Sequence, residues 1–286
     1  PFLYAGIGFL LGRWDDHAMA LLFPFLQVAT LAALFGWLRR RDAPTSLALG
    51  AAALTSLFEP LYRGFTTGMA EVPLSFALLL LGTSLCDRVE RSDRGASHRL
   101  ALASVLCVAT KNEGLFFVAA GLVVAALSSF SRRGIAARAA AILALPAAVV
   151  VAAHRLILGN LPLRDFDFSL LRRPGVVFGR LAETFAAVLR ETPLLAWFGL
   201  AAFAVLIAAG RSSPAGTRLL ALAACGLAAY LFLPALAIEG PEWLVRHSFF
   251  RTTAALAPLV AAGVAVRLIP VVGPEDGRRK TEDEFA

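Results

Sequence analysis

Ionisable side chains stand at three breaks between the long apolar runs of this chain. Glu71 opens one apolar run, Lys111 and Glu113 separate two others, and Arg251 stands directly before the last. Ionisable groups at membrane depth are energetically costly and are therefore candidates for function. A carboxylate can bind hydroxyls, amines or metal ions, and lysine or arginine can hold a phosphate. The pattern predicts a polar site assembled from distant stretches of sequence.

The first break is a turn rich in Gly and Thr between two predicted helices. Glu71 opens the second helix, and Pro73 follows in its first turn, where proline is favourable. The helix dipole stabilises an acid here, so Glu71 either caps the helix or binds a substrate hydroxyl, an amine or a metal ion. The sequence indicates no certain cofactor and leaves a divalent metal ion open. Arg63 is a further binding candidate, although it could simply pair with Glu59 four residues earlier.

The second and third breaks carry the basic candidates. Lys111 can hold a phosphate as a point charge, or it can pair with Glu113 to close a tight turn. Arg246 and Arg251 could together clamp a phosphate or pyrophosphate. His247 lies between them and is either a substrate-binding residue or a surface residue.

The composition is that of a chain solvated largely by lipid. Of the 286 residues, 58% are hydrophobic and 16% are charged. Soluble domains average roughly 45–50% apolar residues and about 25% charged residues. The net charge of +7 comes from arginine clusters in the connections, which favours membrane topology signals over nucleic-acid binding. We predict an all-α, polytopic transmembrane helical bundle over residues 1–272, followed by a polar cytoplasmic tail at 273–286.

About nine membrane crossings follow from segment length and charge. A crossing needs about 20 apolar residues. The basic connections 39–44, 87–99 and 131–138 should share the cytoplasmic side, which requires the short segments 45–58 and 99–112 to cross as well. The predicted crossings are 18–38, 45–58, 70–86, 99–112, 113–130, 139–158, 194–210, 218–238 and 252–272. The candidate site residues then fall on the extracytoplasmic side of a bacterial-type inner membrane.

An amphipathic helix is predicted on the outer surface within residues 159–193. Its apolar side holds Phe178, Leu181, Phe185, Val188 and Leu189. Its charged side holds Arg180, Glu183, Arg190 and Glu191. Two interpretations stay open, because such a helix can lie in the membrane interface or pack over the site as a lid.

Four stretches, in order along the chain, resemble motifs of the C-type integral-membrane glycosyltransferases, which include aminoarabinose transferases and protein mannosyltransferases. PFLYAGIGFLLGRWDDHAMALLFPF resembles their "PPLYY…FG…A.R" stretch, and GMAEVPLSFALLLL is similar to a helix opened by an acid. SHRLALASVLCVATKNEGLFFVAAGL resembles their "Gla.LTKg..gl" signature, with Lys111 at the lysine. RTTAALAPLVAAG resembles their "RY..p..P.l" element, with Arg251 and Pro258 seven residues apart.

The chain departs from this family in two places. The family's key acid lies in its first outer loop, and Asp15 and Asp16 come too late in the chain to match it. The chain also begins at Pro1 inside an apolar stretch, so we expect an N-terminal segment carrying the main catalytic base to be missing, and this fragment to be inactive. The aromatic residue that follows the family's arginine is Thr252 here.

The resemblance implies transfer of a sugar from a polyprenyl phosphate carrier to a lipid, glycan or protein acceptor at the outer membrane face. Lys111, Arg246 and Arg251 are then expected at the phosphate, and Glu71, with Glu113, at the acceptor or sugar. The expected partners are this donor, its acceptor and membrane lipids, and no nucleic acid. A transporter or lipid flippase is the alternative, and a catalytically silent partner of a membrane assembly is a third hypothesis.

Overall fold

The computed structural model describes residues 16–56, 71–91, 94–110, 114–128, 133–158, 167–192 and 213–269, together with 204, 207, 208 and 210. These residues form helices, with no strand among them, so the all-α prediction is confirmed for the described part of the chain. The eight helices longer than eleven residues are α1 (Asp16–Arg39), α2 (Thr45–Ser56), α3 (Glu71–Arg91), α4 (Arg94–Thr110), α5 (Gly114–Ser128), α6 (Arg133–Leu158), α7 (Pro174–Glu191) and α8 (Pro214–Phe232).

Shorter helical pieces complete the description. They are a 3₁₀ turn before α7 (Phe168–Arg172), a 3₁₀ turn after α8 (Leu233–Leu236), α9 (Pro241–Leu244), a π-helical turn (Val245–Phe249), α10 (Phe250–Thr253), a 3₁₀ turn (Ala254–Leu256) and α11 (Ala257–Arg267). The chain therefore continues from α8 to α11 through a series of short turns.

Three of the described helices are long and apolar enough to cross a membrane. They are Leu21–Arg39, Glu71–Glu90 and Pro214–Leu236. Shorter apolar helices lie at Thr45–Ser56, Gly114–Ser128, Ala137–Ala153 and Ala254–Arg267. The chain is thus compatible with membrane association, whereas the nine-crossing topology stays a prediction. Most of the predicted crossing at 194–210 lies outside the described residues.

Helix α3 is the central helix of the bundle. Within its apolar window 89% of the residues are buried, compared with 33% for α1 and 50% for α8. A helix that is apolar on all sides is expected at such a position. Two of its buried hydroxyls are satisfied locally, because Ser75 donates to the Val72 carbonyl and Thr83 donates to the Leu79 carbonyl. The buried hydroxyl of Ser84 has no hydrogen-bond partner among the described residues.

The direction of α8 relative to α3 follows from contacts near the last turns of α3. We name the two ends of the bundle after α3: it begins at the Glu71 end and finishes at the Glu90 end. The Cys86 sulfur lies 3.6 Å from the Ala215 carbonyl oxygen, and Arg218 forms an ion pair with Glu90. Since both partners stand in the first turns of α8, α8 starts at the Glu90 end and runs antiparallel to α3.

Small residues bring α8 and α11 close to α3. A Cβ atom added at Gly82 would overlap the side chains of Leu259 in α11 and Leu219 in α8. A Cβ atom at Gly216 would fall 2.7 Å from Cγ of Arg267. The end of α11 therefore lies beside the start of α8, and α11 runs parallel to α3. Small residues allow such close approach between membrane helices.

Candidate functional site

Glu71 occupies the first turn of α3, and only 2% of its surface is exposed. The partial positive charge of a helix N-terminus favours an acid at this position. Glu71 also interacts with surrounding groups, so it is not an isolated charge. A buried carboxyl at the end of a membrane-type helix is the best-defined of the predicted site residues.

The backbone of Arg251 lies toward the same end as Glu71. Leu259 faces Gly82, and the two helices run in the same direction. Glu71 is eleven residues before Gly82, and Arg251 is eight residues before Leu259. At 1.5 Å per helical residue, both therefore lie roughly 12–17 Å beyond that contact, at the Glu71 end.

The end of α4 and the start of α5 lie toward this end as well. Arg99, near the start of α4, donates to Asp87 at the Glu90 end, so α4 runs back toward the Glu71 end. It finishes at Thr110, and α5 begins at Gly114, which packs directly on the Cys107 carbonyl. The intervening Lys111 and Glu113 lie outside the described residues, as does Arg63.

Arg246 lies in the π-helical turn and is already engaged by carboxylates. Its Nη2 atom lies 3.1 Å from Glu191 Oε1 and 3.6 Å from Glu242 Oε1. These contacts connect the turn to α7 and to α9, and the side chain remains more than half exposed. The role of Arg246 at a phosphate stays a prediction, and the structure assigns it a bridging position. The backbone of His247 belongs to the same turn.

A cleft of about 320 Å³ lies between α7 and residues 239–243. The ionisable and aromatic side chains that line it are Glu183, Arg190, Glu239, Glu242 and Trp243. Arg190 Nη1 lies 2.9 Å from Glu242 Oε1, which closes one side of the cleft. The sequence analysis placed Glu183 and Arg190 on the charged side of α7 but did not predict their meeting with residues 239–243.

A buried ionic network lies at the opposite, Glu90 end, and the sequence analysis missed it. Asp87 accepts hydrogen bonds from Trp37 Nε1 at 3.2 Å, Arg41 Nη2 at 3.0 Å and Arg99 Nη2 at 3.4 Å. The network therefore joins α1, α3 and α4. The sequence pattern predicts topology signals in the basic connections and assigns no role to Asp87 or Glu90.

Glu90 extends this network to α8. It accepts a hydrogen bond from Arg41 Nη1 at 2.7 Å and another from Arg218. Arg41 also lies 4.6 Å from the centroid of the Trp37 ring, a cation–π distance. Burial acts to lower the pKa of Arg41, but the hydrogen bonds that it donates to Asp87 and Glu90 outweigh burial and raise that pKa. Arg41 is thus a fixed positive charge in a network that holds four helices together.

The described residues contain no group of three or more His, Cys, Asp or Glu side chains arranged to hold a metal ion. Glu71, a candidate metal ligand from the sequence, therefore belongs to no such group among the described residues. The three acids of the cleft do not form such a group either.

No protein-family model matches this chain with significance, and no curated protein or solved structure does so. Its functional assignment therefore depends on the short motifs in its sequence and on the geometry of the Glu71 end.

Proposed function

We propose that this chain is the membrane domain of a glycosyltransferase of the C type. It would move a sugar from a polyprenyl-phosphate carrier to a lipid, glycan or protein acceptor at the extracytoplasmic face. The observation that carries the proposal is the buried carboxyl of Glu71 at the start of the central helix. The direction of α4 and of α11 supports a site at that same end that includes Lys111 and Arg251.

The proposed topology has nine crossings, with the Glu90 end on the cytoplasmic side. Arginine is abundant in the connections of that end, as the positive-inside rule requires. Helix directions support this arrangement, because α1 finishes, α4 and α8 begin and α11 finishes at the Glu90 end. The Glu71 end would then face the extracytoplasmic side.

The proposed reaction is a displacement at the anomeric carbon of the donor sugar. The acceptor oxygen bonds to that carbon, the bond from the carbon to the carrier phosphate breaks, and the acceptor proton passes to a base. Polyprenyl phosphate leaves, and cationic side chains offset its charge in the transition state. We assign Lys111, Arg251 and Arg246 to the phosphate, and Glu71 with Glu113 to orienting the acceptor or the sugar.

The role of Arg246 requires a rearrangement. Its ion pairs with Glu191 and Glu242 would have to open, or be shared, for the guanidinium to reach a phosphate. Exposed pairs of this kind contribute only about 0–1 kcal/mol, so the phosphate of the donor competes with them readily. Lys111 and Arg251 are therefore the sharper test of the proposal.

The decisive experiment is a transfer assay in membranes that contain the full-length protein. Lys111→Ala and Arg251→Ala should each reduce release of radiolabelled sugar from its lipid carrier by roughly 10²–10³-fold, the usual cost of losing one charge-stabilising group. Arg138→Ala removes an exposed arginine from α6 and serves as the matched control. Undiminished transfer by both site variants would reject the assignment.

A transporter or lipid flippase remains the alternative function, since buried ionisable groups also mark ion and substrate pathways. Flux measured in proteoliposomes without any acceptor separates the two. Transport of a substrate across the bilayer, with no transfer of sugar from carrier to acceptor, would support the alternative.

A further inference from the structure

Helix α7 presents three different faces, and the first contacts the protein. Val177, Thr184 and Ala187 are buried. Arg180 Nη1 donates to the Ala235 carbonyl at 3.3 Å, which joins this face to the turn after α8. The face covers the segment from α8 to the π-helical turn.

The second face is an exposed apolar stripe. Phe178, Phe185 and Leu189 are 71%, 50% and 60% exposed. They are spaced by seven and four residues, so at 100° per residue they fall within about 40° of one another. The sequence analysis grouped Leu181 and Val188 with them, but the structure turns both partly toward the protein. Only three of the five apolar residues therefore remain available to another phase or molecule.

The third face is polar. Glu183 and Arg190 are exposed and border the cleft, and they are roughly 120–140° around the helix from the stripe. An ion pair between Arg190 and Glu242 and another between Glu191 and Arg246 connect this helix to residues 239–249. The stripe and the polar face thus point in different directions while the helix stays attached to the bundle.

We infer that the stripe formed by Phe178, Phe185 and Leu189 docks onto the lipid of the extracytoplasmic leaflet. Large apolar side chains of the bundle helices, such as Phe25 and Leu145, are similarly exposed, and lipid would cover them as well. A surface helix that inserts one apolar face into the boundary between headgroups and acyl chains has this form.

The size of the stripe favours lipid over a protein partner. With roughly 200 Å² for an aromatic side chain, the three exposures amount to roughly 300–400 Å². A stable protein interface buries about 800 Å² on each partner. The stripe is also only about 16 Å long, which suits a single row of side chains inserted along a membrane surface. On this inference, one face of α7 covers the protein while another meets lipid.

Spin labels test this inference without reference to the proposed reaction. Single cysteines would replace Phe178, Phe185 and Leu189 in turn, with Glu183→Cys as the control on the polar face. Cys225 would be changed to serine, while Cys86 and Cys107 are buried and stay. A spin label would be attached to each cysteine, and the protein would be placed in lipid nanodiscs. The collision rate of the label with oxygen, which concentrates in lipid, would be compared with its collision rate with a water-soluble nickel chelate.

The logarithm of the oxygen-to-nickel collision ratio should be positive at all three stripe positions and negative at position 183. Nickel access at the stripe would show that it faces water and would overturn the inference. Protection from both reagents would show that protein covers the stripe and would overturn it as well. None of these outcomes depends on whether the chain transfers a sugar.

Discussion

The buried network at the Glu90 end gives the most quantitative prediction. In Asp87→Asn the side chain keeps its size and one oxygen acceptor but loses its charge. Arg41 and Asp87 are only 10% and 9% exposed, so the variant removes one partner from a buried ion pair. Losing one partner of such a pair typically costs about 3–5 kcal/mol.

The expected loss in the free energy of unfolding is smaller than this, because Arg41 and position 87 each keep another hydrogen-bond partner. Arg41 keeps its ion pair with Glu90 at 2.7 Å, and the amide oxygen of the substituted side chain can still accept from Trp37. The bond from Arg99 is long, at 3.4 Å, and that side chain is 41% exposed, so it contributes little. The main loss is the charge-assisted hydrogen bond from Arg41 to Asp87, and bonds of this kind contribute about 1.5–3 kcal/mol. We therefore expect Asp87→Asn to lower the free energy of unfolding by about 2–3 kcal/mol.

Reversible unfolding in mixed detergent micelles measures this change, with Glu242→Gln as the matched control. The control removes the charge from the Arg190–Glu242 pair, whose side chains are 63% and 57% exposed, and from the longer, equally exposed contact of Glu242 with Arg246, and it should cost no more than about 1 kcal/mol. Added salt should weaken the exposed pair and leave the buried pair nearly unchanged. If the free energy of unfolding of Asp87→Asn lies within about 0.5 kcal/mol of the wild-type value, the network does not hold the helices together.

Two further predictions concern the connections. Gly114→Ala should destabilise the protein, because its Cβ would overlap the Cys107 backbone carbonyl. Gly50→Ala lies inside α2 with open space around its Cβ and should stabilise the protein by up to about 1 kcal/mol. Thermal unfolding compares the two variants, and equal midpoints would contradict the packing. The hydrogen bonds from Ser169 lower the pKa of the exposed Asp167, so this cap should be fully effective above the unfolded pKa of about 3.9 and be lost as pH falls through the lower folded value. Amide-exchange protection at Ser169 that is already lost at about pH 5 would contradict this sign.

The helices themselves could be predicted from sequence because apolar runs and their charged connections are local signals. The runs around α3 and α8 were long enough to identify by length alone. The Gly-containing turn after Lys111 also identified the break between α4 and α5. Helix ends were less accurate, since α4 begins at Arg94 inside a connection that had been interpreted as wholly basic loop.

The ionic network could not be predicted in the same way. Asp87 and Glu90 bind arginines that are 46 and 128 residues away in sequence, and no local period contains that information. A signal did exist, because two acids three residues apart share one face of a helix. Their position directly after an apolar run could have indicated a buried partner for the basic connections.

The faces of α7 show a related limit. Helical spacing identified Phe185 and Val188 as members of one apolar side. It could not show that Val188 packs against the protein while Phe185 remains exposed, because this depends on where the segment after α8 lies. Sequence periodicity gives the polarity of a face and not the neighbour that the face meets.

Cross-linking from outside intact cells tests the central claim most directly, since it reports both the proximity and the sidedness of the proposed site. The full-length protein would carry Lys111→Cys and Arg251→Cys, and a membrane-impermeant bifunctional thiol reagent would be added externally. We predict that the two cysteines become linked, and that a pair combining Arg138→Cys with Arg251→Cys does not. The account is contradicted if the first pair stays unlinked in intact cells. It is contradicted most clearly if the two cysteines react with the reagent only after the membranes are opened to expose the cytoplasmic side.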